Sequence, residues 1–179
     1  QAGRKASSGN GSVPPTGTVL VPGSTIGLPP GPTAATGVDA VTHSLESLLS
    51  KNPNPFAEAS ALGTVRTVAE WLPRAVSDGA DLEARSRMLL AAHYAGVGQQ
   101  SGTGVGAVHA IGHSIQTRGR LPHGTALATV MPQVLPTHLR EPTPNPALLA
   151  APLGARPPRP PAPPDAPPGM VPSDPPLYP

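Results

Sequence analysis

Four side chains that can bind a metal ion stand out in this sequence by type and spacing. Asp39 and His43 lie four residues apart in GVDAVTH, His109 lies in GAVHAIGH, and His123 lies in LPHG. Residues four apart on a helix share one face, so the first pair would point the same way. Three imidazoles and one carboxylate suit a divalent transition metal, and spacing leaves iron(II) and zinc open. The sequence therefore predicts a metal site formed by these four residues.

The remaining histidines, and Asp39 itself, each have an interpretation other than metal binding. His113 follows His109 by four residues, and its imidazole could relay a hydroxyl proton or merely support the neighbouring ligands. His93 and His138 have no partner at a useful spacing, so we expect surface or packing positions for both. Asp39 could act only as a charge favoured near a helix N-terminus, but its spacing to His43 makes this the lesser interpretation.

The small-residue run from Gly98 to Gly106 could suggest a phosphate cradle. It lacks the Lys-Ser/Thr ending of a P-loop and any clear preceding strand. We therefore expect close helix packing in this run.

Helices must position most of these residues. Apolar residues recur at helical spacing, which predicts helices at about 38–49, 56–71, 82–96, 105–117 and 124–135. Prolines 29, 30 and 32 should delay the first helix, and Pro73 should kink or end the second. A short strand is expected from Thr18 to Val21. The predicted fold class is mainly α, a bundle-like helical domain.

Composition divides the 179 residues into three segments. The 28 prolines and 20 glycines together exceed a quarter of the chain, and more than half of the prolines follow residue 141. We predict a folded unit at residues 33–140, preceded by residues 1–32 and followed by a disordered, proline-rich tail at 141–179. The tail is either a natural linker or an altered reading frame.

Several classes of protein are disfavoured by composition. The net charge of +2 and the four aromatic residues are not those of a nucleic-acid-binding protein. No apolar run reaches the length needed to span a bilayer, so no membrane partner is expected. The absence of cysteine excludes disulfides and fits a cytoplasmic location. Because the chain begins with Gln, we expect a piece of a longer protein or a processed product.

The stretches GPTAATGVDAVTHSLESLLS, NPNPFAEASALGTVRTVAEWLPRAV and GVGAVHAIGHSIQTRGRLPHGTALATVMPQVL resemble the iron-containing (group III) alcohol dehydrogenases. The resemblance runs from about Leu28 to Leu135 and includes the D-x-x-x-H and H-x-x-x-H…P-H-G elements. It implies that residues 33–140 begin the helical C-terminal metal-binding domain and that residues 1–32 are a remnant of the nucleotide-binding domain. Asp39, His43, His109 and His123 match the four metal ligands. His113 matches a histidine near substrate and nicotinamide, so it is the implied catalytic and cofactor-binding residue.

The resemblance implies an iron- or zinc-dependent alcohol dehydrogenase that uses NAD or NADP, acts on a small alcohol or aldehyde and could form a homodimer. Ser114 and Gln116 depart from the family's usual Pro and Gly, and the phosphate-binding and nicotinamide-binding segments are absent. We therefore expect the chain to be inactive alone. Two alternatives remain: a zinc-dependent polyol dehydrogenase or lyase-like relative, and a non-catalytic helical interaction module with a recognised Pro-rich tail.

Overall fold

A computed structural model describes residues 16–52 and 54–138 of the chain. The prediction for the tail at 141–179, and that for residues 1–15, concern residues outside this description. The described part contains no helix long and apolar enough to cross a membrane.

Helices account for almost all of the described chain. A short 3-10 helix at Pro22–Thr25 and a π-helix at Gln99–Thr103 accompany five α-helices. The α-helices are α1 (Pro30–Leu48), α2 (Pro55–Ser77), α3 (Leu82–Gly98), α4 (Ala107–Gly119) and α5 (His123–His138). The mainly α fold class is therefore confirmed.

Three local predictions differ from the structure. Helix α1 begins at Pro30, earlier than expected, because proline is well tolerated in a first turn where its missing N–H has no partner. Helix α2 continues through Pro73 to Ser77, since proline removes one backbone hydrogen bond without always ending the helix. The expected strand at Thr18 to Val21 is not formed, and Val19 is 87% exposed, because within the described residues no neighbouring strand supplies a ladder.

Side-chain caps begin two of the helices. The Asn54 side chain accepts hydrogen bonds from the backbone N–H groups of Phe56 and Ala57 at the start of α2. Asp81 accepts one from Ala84 at the start of α3, at 2.9 Å. Each cap satisfies N–H groups that the helix itself leaves unpaired.

Three hydrophobic clusters hold the helices together. The first joins α1, α2 and α3 through small side chains, and the second joins α1, α2 and α5. The third joins α4 to α5 through Val108, Leu127 and Val130. Leu127 is fully buried, and burying such a side chain contributes about 1.5–3 kcal/mol to stability.

Two glycines allow α1 to approach its neighbours closely. A Cβ atom at Gly37 would lie 2.5 Å from the side chain of Leu72 in α2. A Cβ atom at Gly124 would collide with the backbone carbonyl of Ala35. Helix α1 is therefore the central element, against which both α2 and the start of α5 are tightly packed.

Candidate metal centre

The structure brings the four predicted ligand residues together around one oxygen atom. Asp39 Oδ1 lies 3.3 Å from His43 Nε2, 3.4 Å from His109 Nε2 and 3.6 Å from His123 Nε2. Asp39 and His43 lie on one face of α1, His109 lies on α4, and His123 is the first residue of α5. Ligand atoms of Asp39, His109 and His123 all lie within 4.8 Å of one another, which is close enough to share an ion.

Two of the converging atoms are buried without a hydrogen-bond partner. Among the described residues, neither Asp39 Oδ1 nor His109 Nε2 has one, and His109 is only 1% exposed. A buried polar atom left unpaired costs about 1–3 kcal/mol. A cation between them would satisfy both atoms, so the donor set fits a metal ion.

The electrostatics of the cluster reflect its burial and its close opposite charges. Burial by itself raises the pKa of Asp39, but the approach of His109 and the charges of the other histidines outweigh it and lower the pKa overall. Burial lowers the pKa of His43, and Asp39 opposes this only in part. Burial also acts to lower the pKa of His109, yet the carboxylates of Asp39 and Glu46 raise it to about 9. At neutral pH the site thus holds the ionised carboxylates of Asp39 and Glu46 beside a protonated His109 ring.

Glu46 is a residue of this site that the sequence analysis missed. Its Oε2 lies 2.6 Å from Nδ1 of His109, on the side of the ring away from Asp39. The same carboxylate accepts hydrogen bonds from the backbone N–H groups of Gly106, Val108 and His109 at the start of α4. The sequence feature that could have identified Glu46 is its position three residues after His43, on the same face of α1.

The second nitrogen of His123 also has a side-chain partner. Gln116 Oε1 lies 3.0 Å from His123 Nδ1 and can accept a hydrogen bond from it, while Nε2 faces Asp39. Gln116 was noted in the sequence only as a departure from the family pattern. Neutral histidine ligands commonly have one ring nitrogen bonded to such an acceptor while the other faces the metal.

The remaining histidines lie at different distances from the centre. The His113 ring centroid is 5.1 Å from that of His123 and 6.0 Å from that of His109, so His113 borders the cluster. His93 is half-buried on α3 beside Tyr94, a packing position as expected. His138 ends α5.

The structure bears on two alternative interpretations, that of Asp39 as a helix-dipole charge and that of the small-residue run as a phosphate cradle. Asp39 lies in the middle of α1, beyond the first turn where a helix dipole acts, so a dipole role does not explain it. The small-residue run packs helices, because a Cβ atom at Gly98 would lie 3.2 Å from Ser60 of α2 and one at Gly106 would lie 2.7 Å from Glu46.

The fold and this cluster define a class: a helical domain in which three histidine side chains converge on one aspartate oxygen. The model of the Fe-containing alcohol dehydrogenase family, C-terminal part, matches residues 33–155. The chain therefore belongs to the iron-containing alcohol dehydrogenase family.

Named relatives agree with this membership. The chain is 39% identical over 134 residues to the probable alcohol dehydrogenase EutG of Salmonella typhimurium, covering 75% of this chain and 34% of that protein. It is 36% identical over 142 residues to the NAD-dependent methanol dehydrogenase of Bacillus methanolicus, covering 79% of this chain and 37% of that protein. A solved 1,3-propanediol oxidoreductase matches with a TM-score of 0.70 and 37% identity, over 75% of this chain and 35% of the other. The chain thus spans about a third of the length of these relatives.

Proposed function

We propose that this chain is the metal-binding part of a nicotinamide-dependent alcohol dehydrogenase, with Asp39, His43, His109 and His123 as the ligands of iron(II) or zinc. The observation that carries the proposal is the convergence of three Nε2 atoms within 3.6 Å of Asp39 Oδ1. The unpaired buried atoms at the centre support it.

A metal bound here would supply Lewis-acid polarisation of an alcohol or aldehyde oxygen. The chain itself contributes charge and geometry. The Asp39 carboxylate partly neutralises the cation, and the Nδ1 partners of His109 and His123 hold both rings with Nε2 inward. The three ligand-bearing helices fix the distance between these donors before any substrate binds.

His113 is proposed as the residue that contacts nicotinamide or substrate and carries the hydroxyl proton. Its ring lies one helical turn from His109 and beside His123, at the border of the cluster. An imidazole in this position can accept a proton at neutral pH without displacing a metal ligand. NAD or NADP would supply the hydride-accepting chemistry, and His113 is the residue of this chain proposed to contact it.

The relatives suggest a small alcohol or its aldehyde as substrate, because one is named a methanol dehydrogenase and another a 1,3-propanediol dehydrogenase. A cytoplasmic location and a homodimer remain predictions.

The experiment that tests the metal site is titration of the full chain with Zn²⁺ or Fe²⁺, by calorimetry under anaerobic conditions for iron. His109→Ala and His123→Ala should each weaken binding by at least tenfold, since each removes one of four donors. His123 is partly exposed, so its replacement disturbs the core less than that of the buried His109.

His93→Ala is the matched control, because it removes a histidine on α3 that contacts Tyr94 rather than the cluster. It should bind metal like the parent chain. Equal metal affinity in His123→Ala and the parent would refute the assignment.

A further inference from the structure

Glu46 lies against the ring of His109, one of the proposed metal ligands. Its side chain is 5% exposed, and its two oxygens receive four contacts from α4 and the residue preceding that helix. Oε1 accepts from the N–H groups of Val108 and His109 at 2.7 and 3.2 Å. Oε2 accepts from the N–H of Gly106 at 2.7 Å and lies 2.6 Å from His109 Nδ1.

The acceptor character of this carboxylate sets the proton on the His109 ring. A carboxylate has about four lone-pair positions and no donor, and here three of them face backbone N–H groups. The fourth contact can be a hydrogen bond only if Nδ1 carries the proton and donates it. The ring nitrogen left to bind a cation is then Nε2, which lies 3.4 Å from Asp39 Oδ1.

The close approach of Glu46 is built into the backbone. A Cβ atom at position 106 would lie 2.7 Å from both Cδ and Oε1 of Glu46. Gly106 therefore leaves room for the carboxylate at the N-terminus of α4. Because Glu46 also lies on α1 with Asp39 and His43, it links the helix of two ligands to the helix of a third.

From these contacts we infer that Glu46 is a positioning residue of the metal site: it holds the proton on His109 Nδ1 and so directs Nε2 toward the cation. The inference rests on the proposed metal function. It assigns Glu46 no contact with metal or substrate.

Replacing Glu46 with Gln tests this role with little change of shape. The amide NH₂ replaces one acceptor oxygen with a donor. At the Oε1 position it would oppose two backbone N–H groups, whereas at the Oε2 position it opposes only that of Gly106 and faces the His109 ring, so we expect the Oε2 position. Where it faces the ring, Nδ1 keeps a hydrogen bond only by becoming an acceptor, which moves the proton to Nε2. We expect E46Q to bind Zn²⁺ about 10- to 100-fold more weakly than the parent chain.

NMR of the His109 ring and circular dichroism together separate a positioning role of Glu46 from a merely structural one. In the parent chain, NMR should show a slowly exchanging, far-downfield proton on His109 Nδ1, both with and without Zn²⁺. E46Q should lose this proton while its circular dichroism spectrum stays helical. The control E70Q makes the same chemical change at an exposed site on α2 and should alter neither the affinity nor the proton.

The outcomes are distinguishable. An E46Q chain with parental Zn²⁺ affinity would overturn the inference, as would a parent chain whose His109 lacks the Nδ1 proton. The NMR measurement on the parent chain needs no variant, so it tests the role of Glu46 even if E46Q fails to fold. A parent chain that shows the Nδ1 proton but binds no Zn²⁺ would instead refute the proposed metal function.

Discussion

Single carboxylates in this domain are kept ionised by the neighbours that surround them. Burial by itself raises the pKa of Glu46, but hydrogen bonds from His109 and Gly106 outweigh it and lower the pKa. The pKa of Asp81 is lowered mainly by the N–H of Ala84 and also by Arg74, whose Nη2 donates to Oδ2 at 2.7 Å. Donors at a helix N-terminus therefore stabilise negative charge at two places with different degrees of burial.

Asp81→Asn should reduce stability in a pH-dependent way. The folded pKa of Asp81 lies below its usual value of 3.8, so the ionised carboxylate stabilises the fold above that value, and this contribution disappears as pH falls through the lowered pKa. Asn keeps the cap to Ala84 but cannot pair with the charge of Arg74. Thermal melts should show a lower Tm for the variant at neutral pH.

The two melting temperatures should converge in acid, where the parent Asp81 is protonated. A Tm difference of the same size at neutral and strongly acidic pH would contradict this account.

At the scale of elements, close contacts between helices depend on small residues more than on large ones. Gly124, next to His123, lies against the carbonyl of Ala35, so the start of α5 is placed by direct contact with α1. This contact is between backbones, which cannot give way as a flexible side chain can. It therefore fixes both the helix crossing and the position of one proposed ligand.

Gly124→Ala should destabilise the domain by about 1–3 kcal/mol, the usual range for overpacking a core. It should also weaken Zn²⁺ binding, because moving the start of α5 moves His123. Denaturant unfolding and metal titration of the same variant measure the two effects.

Gly63→Ala is the matched control within a helix. A Cβ atom at Gly63 meets nothing within 4 Å, and alanine is favoured over glycine in a helix by about 1 kcal/mol. This variant should gain stability and keep the parental metal affinity. If Gly124→Ala behaved in the same way, the close contact between α1 and α5 would not be needed.

For the whole molecule, the decisive feature is that the chain covers only about a third of its relatives' length. The proposed ligands all lie within that third, on α1, α4 and α5. The proposal therefore predicts that metal binding can be measured separately from dehydrogenase activity in this chain, since metal binding would need only these helices and activity would also need a bound nicotinamide.

Metal should stabilise the isolated chain, which should nevertheless lack activity. A ligand that binds only the folded state adds about 2.7 kcal/mol at a hundredfold excess over Kd, so Zn²⁺ should raise Tm and a chelator should reverse the rise. Calorimetry with NAD and NADP should show no binding, and assays with small alcohols no turnover. A Tm unaffected by Zn²⁺ and Fe²⁺ would favour the non-catalytic interaction module instead.

The sequence predicted the helices well but not always the faces they bury. In the structure Ala69 and Ala92 are exposed, while Ala91 and Arg85 are buried. In alanine-rich α3 the contrast between apolar and polar positions is weak, so the pattern does not define one face. The buried Arg85 side chain donates hydrogen bonds to Leu28, Thr33 and Gly79, and Leu28 and Thr33 lie more than 50 residues before it in the sequence.

By itself, the sequence determined the mainly helical class, the start of α3 at Leu82 and the candidate ligands, because periodicity and i, i+4 spacing are local properties of a chain. Only the tertiary structure decided that three Nε2 atoms face one oxygen of Asp39, and that Glu46 bonds to His109 from 63 residues away. No spacing rule reports such a contact, since it depends on how α1, α4 and α5 cross and on the glycines that let them approach.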